Sequence, residues 1–392
     1  MNIPLFAALF SLTSFFRQGS PTPVQRKNLF HLLIALGTIA TLIVSYPLWT
    51  SDRAFPTVPF IGEDWQLPLP STGVFIALLC FTSLSLFIPQ RGIMTGLVAL
   101  FSLIALSEDI NRAHPWMWYM LLSFGALAFS QQKDRSFLST MRILTICIYF
   151  WSGLHKIHLN FFDLTWPTMV DALIGNGTID AYPDLVYTGY FIPFIEAGLA
   201  LCLAFPKTRR FAVAGLISMH IFILLALGPI GKNWNAVVWP WNFTMLLGLL
   251  ILFGKEKEWR PRIKVMPSVY HNLVVLIFGL MPILHSFTSW PGYLSWSIYT
   301  NRTSNLLILY DQESYECLPE ELQTTLPPAE DQVGSLYLMD WSRKTLGTPH
   351  FPHEKVFRAI QADLKQRCPQ KQGPDLVIKD RINGEWESRL LE

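Results

Sequence analysis

Along most of this chain the apolar positions come in continuous windows, without the alternation of a barrel strand. Windows of about 20 apolar residues, enough for one helix to cross a bilayer, recur from Leu29 to about Phe287. Backbone polar groups in lipid must be satisfied within their own segment, so these windows predict helices. The expected spans are Leu29–Leu48, Gly73–Pro89, Gly92–Leu106, Pro115–Ser130, Leu138–His158, Leu185–Phe205, Phe211–Leu227, Ala236–Phe253 and Val269–Phe287. The predicted fold is a polytopic α-helical membrane protein with about nine transmembrane helices, followed by a small C-terminal α+β extramembrane domain. The chain divides into an N-terminal stretch 1–28, a helical domain 29–289 and an outer domain 290–392.

Past the last window the pattern shortens. "SNLLILY" and "SLYLMDW" read as strands, "HEKVFRAIQADLKQRC" places Val356, Ile360 and Leu364 on one helical face, and "PDLVIKD" reads as a further strand. A tail of about 100 residues supports a modest core. The opening "MNIPLFAALFSLTSFF" has no charged n-region and no cleavage site before Arg17, so it predicts an amphipathic segment on the inner surface rather than a secretory signal.

Charge sets the expected orientation. Arg17, Arg26 and Lys27, then Arg91, then Lys133 and Arg135, then Lys207, Arg209 and Arg210, then Lys255 through Lys264, fall in every second connection. The intervening connections carry Glu63, Asp64, Glu108, Asp109, Asp163, Asp171, Asp180 and Asp184. Because basic residues stay in the cytoplasm, the N-terminus is expected inside and the tail outside, in a bacterial inner membrane or an ER-like one. The lipid bilayer is the first partner, and a net charge of +2 argues against nucleic acid. Cys80, Cys147 and Cys202 lie within spans as small apolar residues, whereas Cys317 and Cys368 lie in the outer tail and are candidates for a disulfide.

Ionisable side chains inside the spans cost on the order of 2.5–3.5 kcal/mol each at a helix centre and default to functional candidates. In the fifth span, Tyr149, Ser152, Gly153, Lys156 and Asn160 fall near one face. Lys156, in the final turn, is open to two readings: an ammonium snorkelling to water, or an amine kept from water in a pocket. His155 and His158 flank it at a spacing that makes no metal site, and no metal is expected. Glu196, midway along the sixth span, needs a partner or a proton. His220 sits mid-span, and Asn235, Trp241 and Asn242 lie at the outer end of the eighth. Their common depth predicts a shared outward-facing pocket.

Four segments in register, "IYFWSGLHKI", "IEAGLAL", "SMHIFILLALG" and "YLSWSIYTNRTSNLLILYD", resemble the vitamin K-dependent gamma-carboxylases and their bacterial relatives, the horizontally transferred transmembrane proteins. The resemblance covers most of Leu138 to Asp380. It implies Lys156 as catalytic base and His220 as its catalytic companion, with Tyr149, Ser152, Gly153, Asn160, Glu196, Asn235, Trp241 and Asn242 around the cofactor. That cofactor is a reduced naphthoquinone, acting with O2 and CO2. A neutral amine sheltered from water would accept a proton from the quinol. Where the carboxylases carry a second lysine and a later acid, this chain has His155 and His158, and its tail ends sooner. Quinol oxidation without carboxylation is therefore an equal expectation. The alternative is a non-catalytic membrane component whose tail docks an extracytoplasmic peptide or redox protein. A transporter is disfavoured, since no inverted repeat is visible.

Overall fold

A computed structural model describes residues 3–17, 21–50, 52–62, 70–88, 91–130, 134–175, 182–256, 259–261, 268–288, 290–329, 332–369, 373–382 and 385–391. The positions of Glu63, Asp64, Lys133, Asp180 and Lys264 lie outside the described residues. The chain forms two compact units. One holds residues 1–43, 75–104 and 114–301; the other holds 44–74, 105–113 and 302–392.

The first unit is helical. It comprises α1 (Pro4–Arg17), α2 (Pro23–Val44), α3 (Ser71–Phe87), α4 (Arg91–Glu108), α5 (Pro115–Phe129), α6 (Asp134–His155) and α7 (Trp166–Ile174), the first four of these being joined in part to the second unit at their ends. Then follow α8 (Asp184–Ala204, with a 3-10 turn at Thr188–Phe191), α9 (Arg209–Leu227), α10 (Val238–Phe253) and α11 (Val269–Ser286). Every expected span is thus helical. Five of them, α2, α6, α8, α9 and α11, are long and apolar enough to cross a membrane, while α3, α4, α5 and α10 are apolar but shorter.

α11 is not uniform. It widens into a π-helix over Val275–Leu280 and tightens to 3-10 over Met281–Ser286. Such changes of pitch displace carbonyls from their usual partners. Two indoles meet the carbonyls here: Trp296 Nε1 donates to Phe278 O at 3.1 Å, and Trp151 Nε1 to Gly279 O at 2.7 Å.

The basic residues that mark alternate connections are not all solvated. Arg26, Lys27, Arg142 and Arg209 are buried. Arg142 donates to Leu252 O at 2.8 Å and pairs with Glu256 at 2.6 Å. Arg26 donates to Gly254 O at 2.8 Å, and Arg209 to Leu203 O at 2.8 Å and Trp259 O at 2.6 Å. Leu203, Leu252 and Gly254 end α8 and α10, where helices lack intrahelical donors and carry partial negative charge, while Trp259 lies in the segment beyond α10. Trp259 lies against both Arg142 and Arg209, with ring distances of 5.3 and 5.4 Å. Lys27 closes the end of α5 by donating to Ser130 O at 2.7 Å, and it meets Asp134 at 3.0 Å.

The second unit is α+β. Its antiparallel sheet has the order β2-β1-β3-β4, built from β1 (Asn305–Tyr310), β2 (Gly334–Tyr337), β3 (Asp375–Ile382) and β4 (Glu385–Leu390). Leu306, Ile308, Leu336, Leu376 and Ile378 supply its buried face, together with Leu338, Trp341 and Leu346 from α12 (Leu338–Leu346) and Val356, Phe357, Ile360 and Leu364 from α13 (Glu354–Arg367). Two sequence expectations are corrected here. "SLYLMDW" is a strand only to Tyr337; from Leu338 the buried residues recur at helical spacing, so the segment turns into α12. "EWESRL" forms a fourth strand that the polar pattern concealed.

Cys317 and Cys368 form a disulfide across 51 residues. In the chain-entropy account a loop of that length contributes on the order of 4 kcal/mol. Two early segments complete this unit. Arg53 forms a buried ion pair with Asp109, and Asp109 also accepts from Asn111 N at 3.0 Å. Asn111 in turn accepts from Phe351 N at 3.0 Å, and Lys355 donates to Pro59 O at 2.6 Å. Phe55 packs edge-on against Trp341.

Breaking the Arg53–Asp109 pair from one side should be severe, because the other charge stays buried. Asp109→Ala is expected to destabilise the unit by about 3–5 kcal/mol, read by chemical denaturation of the purified protein. A second expectation concerns pH. Hydrogen bonds from Arg358 and then Arg389 hold the exposed Glu354 carboxylate below its ordinary value of 4.5. Its contribution is therefore complete above that value and fades as pH falls toward the lower folded value. The melting-temperature difference between wild type and Glu354→Gln should be present at pH 7 and shrink below pH 4.5.

Candidate functional site

α6 brings Tyr149, Ser152 and Lys156 to one side of the helical unit, because residues three and four apart stack on a helix. The helix itself stops at His155. Lys156 N closes on Gly153 O at 3.1 Å, and His158 N folds back to Lys156 O at 2.8 Å. Lys156 is thus held at the helix end, with its stem directed back along the last turn.

Its ammonium does not snorkel. Lys156 is 6% exposed and lies 2.8 Å from Oε2 of Glu196, which is 3% exposed. It also donates to Ser152 Oγ at 2.7 Å and Ser152 O at 3.2 Å. Glu196 reaches it because α8 packs directly on α6. Gly153 sits at that crossing, where a Cβ would come within 2.7 Å of Ala197 N and 2.8 Å of Pro193 O. Glycine here serves helix approach and not a ligand.

Opposite the pair runs a second chain of hydrogen bonds. Tyr149 Oη lies 2.6 Å from His220 Nε2, His220 Nδ1 lies 2.8 Å from Asn242 Oδ1, and Asn242 Nδ2 donates to Val238 O at 2.7 Å. The last bond fixes the amide's orientation, so Oδ1 faces His220 as an acceptor. In the neutral ring Nδ1 then carries the hydrogen and Nε2 accepts from the phenol. Asn242 thereby dictates the tautomer of His220.

The two groups face one cavity of about 30 Å³, lined by Tyr149, Ser152, Lys156, Glu196, His220, Trp241 and Asn242. Ile148, Ile223, Met219 and Met245 form apolar walls. Tyr299 and Ile298 complete it, and sequence reasoning missed both as site residues. The signal for them lay in the "YLSWSIYTN" segment already singled out, but nothing there told which side chains turn inward. Asn160 and Asn235 do not line the cavity. Since α6 ends at His155, Asn160 belongs to the following turn, where it donates to Asn301 O at 2.8 Å. Asn235 accepts from Val238 N at 3.2 Å at the start of α10. Among the described residues no group of three or more His, Cys, Asp or Glu is placed to hold a metal ion.

The lining suits a quinol in chemistry but not in volume. It offers a buried amine–carboxylate pair, a polarised phenol–imidazole pair and apolar flanks. Yet about 30 Å³ admits one or two waters, whereas pockets for ring-bearing ligands start near 300 Å³. A bicyclic ring does not fit this arrangement of side chains. No family model, curated protein or solved structure matches the chain.

The ion pair makes a direct prediction. Glu196→Ala leaves a buried ammonium without its counter-charge and should cost about 3–5 kcal/mol, measured by thermal or denaturant unfolding in detergent. The double variant Lys156→Met with Glu196→Leu removes both charges and should recover most of that loss. A double variant as unstable as the single one would mean that the pair itself adds net stability.

Proposed function

We propose that this protein is a membrane enzyme akin to the vitamin K-dependent gamma-carboxylases and horizontally transferred transmembrane proteins, in which Lys156 would serve as the base toward a reduced naphthoquinone. The observation that carries the reading is the convergence of the Lys156–Glu196 pair and the Tyr149–His220–Asn242 chain on a single cavity. A proton passed between Nζ and Oε2 moves across one 2.8 Å hydrogen bond and leaves the pair's net charge unchanged. A free amine can thus arise without an isolated charge in the low-dielectric interior. Ser152 holds that amine in place, and the His220 tautomer set by Asn242 leaves the phenol of Tyr149 ordered beside it. The quinol would supply the reducing power for oxygen chemistry; the chain supplies the base and the exclusion of water.

The same proposal takes nine helices across the bilayer, with the N-terminus cytoplasmic and the tail outside. Arg26 near the start of α2, Arg209 at the start of α9 and Arg142 two turns into α6 gather around Glu256 just past the end of α10, an arrangement that supports alternate crossing. The disulfide supports an oxidising compartment for the tail.

A second reading draws on the small volume and on the pairing of the lining groups with one another. In it the cluster is structural, and the protein is a non-catalytic membrane component whose tail docks a redox partner. Oxygen consumption by the purified protein with reduced naphthoquinones, with and without a glutamyl peptide and labelled bicarbonate, separates the two. Lys156→Met combined with Glu196→Gln should remain folded and lose at least about a hundredfold in rate. Lys156→Arg should fail equally, because a guanidinium does not give up its proton. Absence of quinol-dependent oxygen uptake in the wild type, or an unchanged rate in these variants, supports the second reading.

A further inference from the structure

The segment Trp296–Asn301 contributes Ile298 and Tyr299 to the wall of the cavity and is unusual in its backbone. Trp296, Tyr299 and Asn301 have φ of 60°, 58° and 50°, three non-glycine residues in the left-handed region within six positions. For bulky side chains such as Trp and Tyr this region is strained and persists only where surroundings enforce it. The enforcing contacts lie at the two ends. Trp296 is fully buried and its indole is tied to Phe278 O in the π-helical part of α11. Asn301 O is held by Asn160, which immediately precedes a second π-helical turn at Phe161–Thr165. Ser297 Oγ and Thr300 Oγ1 lie 2.9 Å apart and cinch the loop between these anchors. Ile298 and Tyr299, at the middle, are the residues that face the cavity.

We propose that Trp296–Asn301 is a movable wall and that Tyr299 fills the space a ring-bearing ligand takes when it binds. This rests on the reading that Lys156 acts on such a ligand, and it accounts for a cavity whose chemistry suits a ring while its volume does not. Swinging Ile298 and Tyr299 outward lets Tyr299 leave the left-handed region, so the strain held at that residue in the closed form offsets part of the work of opening. The anchors stay in place and bring the wall back. The wall also sets specificity: a ligand must present a flat apolar ring to replace the phenol against Ile223 and Met219. Ligand affinity is reduced by the fraction of molecules that are open, and trimming Tyr299 lifts that reduction.

Two measurements on the full-length protein in detergent decide it. Hydrogen exchange followed by mass spectrometry should show amides of residues 298–301 exchanging at least about ten times faster than those of residues 144–152 in α6, and slowing when menadione is added. Menadione binding, followed by quenching of tryptophan fluorescence, should be at least about tenfold tighter in Tyr299→Ala than in wild type. Amides 298–301 exchanging as slowly as α6 would overturn the movable wall whatever binds. Menadione binding that is no tighter in Tyr299→Ala would overturn the role given to its side chain. Fast exchange with no menadione binding by either protein would remove the quinone reading while supporting the wall alone.

Discussion

A charge carried into an apolar interior must meet an opposite charge or a fixed dipole, and the helical unit is organised around that requirement. Lys156 and Glu196 answer it with each other, so α6 and α8 are locked in register by one ion pair beside one glycine. Desolvating both groups is costly. The pair is therefore weak as a stabiliser but strong as a constraint, since any sliding of α8 along α6 would strand two charges. That constraint places Ser152, Tyr149 and the face toward α9 and α10 where a cavity can form between them.

The arginines solve the same problem differently. Arg26 and Arg142 share the carboxylate of Glu256 while Arg209 donates to its backbone carbonyl, and most of the three residues' donors go to carbonyls at the ends of α8 and α10. Helix ends supply the missing negative partial charge. These arginines are thus the clasps that join α2, α6, α8, α9 and α10. At the other end of the site, departures from α-helical pitch free carbonyls that are met by Trp296 and Trp151.

The tail is not a domain that begins after the last helix. Residues 44–74 and 105–113 belong to the same compact unit as 302–392, and the Arg53–Asp109 pair and the Asn111–Phe351 bond lie within it. A sheet of four short strands with two helices buries little by itself. Phe55, Trp49 and Val58 enlarge its core, and the Cys317–Cys368 disulfide closes its longest loop. Folding of this unit therefore waits on connections made early in the chain.

The run of apolar windows by itself determined the helices, because a segment that cannot offer its backbone to water or to a neighbour has one regular conformation available. The same logic made Lys156, Glu196, His220 and Asn242 legible as unusual, since each is expensive where it stands. Which of them meet was not legible. Lys156 with Glu196 are 40 residues apart and Tyr149 with His220 are 71 apart, and no local pattern encodes such pairings. Asn160 and Asn235 shared the right depth but turned away, one because α6 ends five residues earlier and the other because it starts a helix. Tyr299 entered the cavity through left-handed backbone that its residue type disfavours, so only packing against its neighbours could place it there. Periodicity fixes what a segment becomes; the partner of a buried charge is chosen by which helices come close enough to satisfy it.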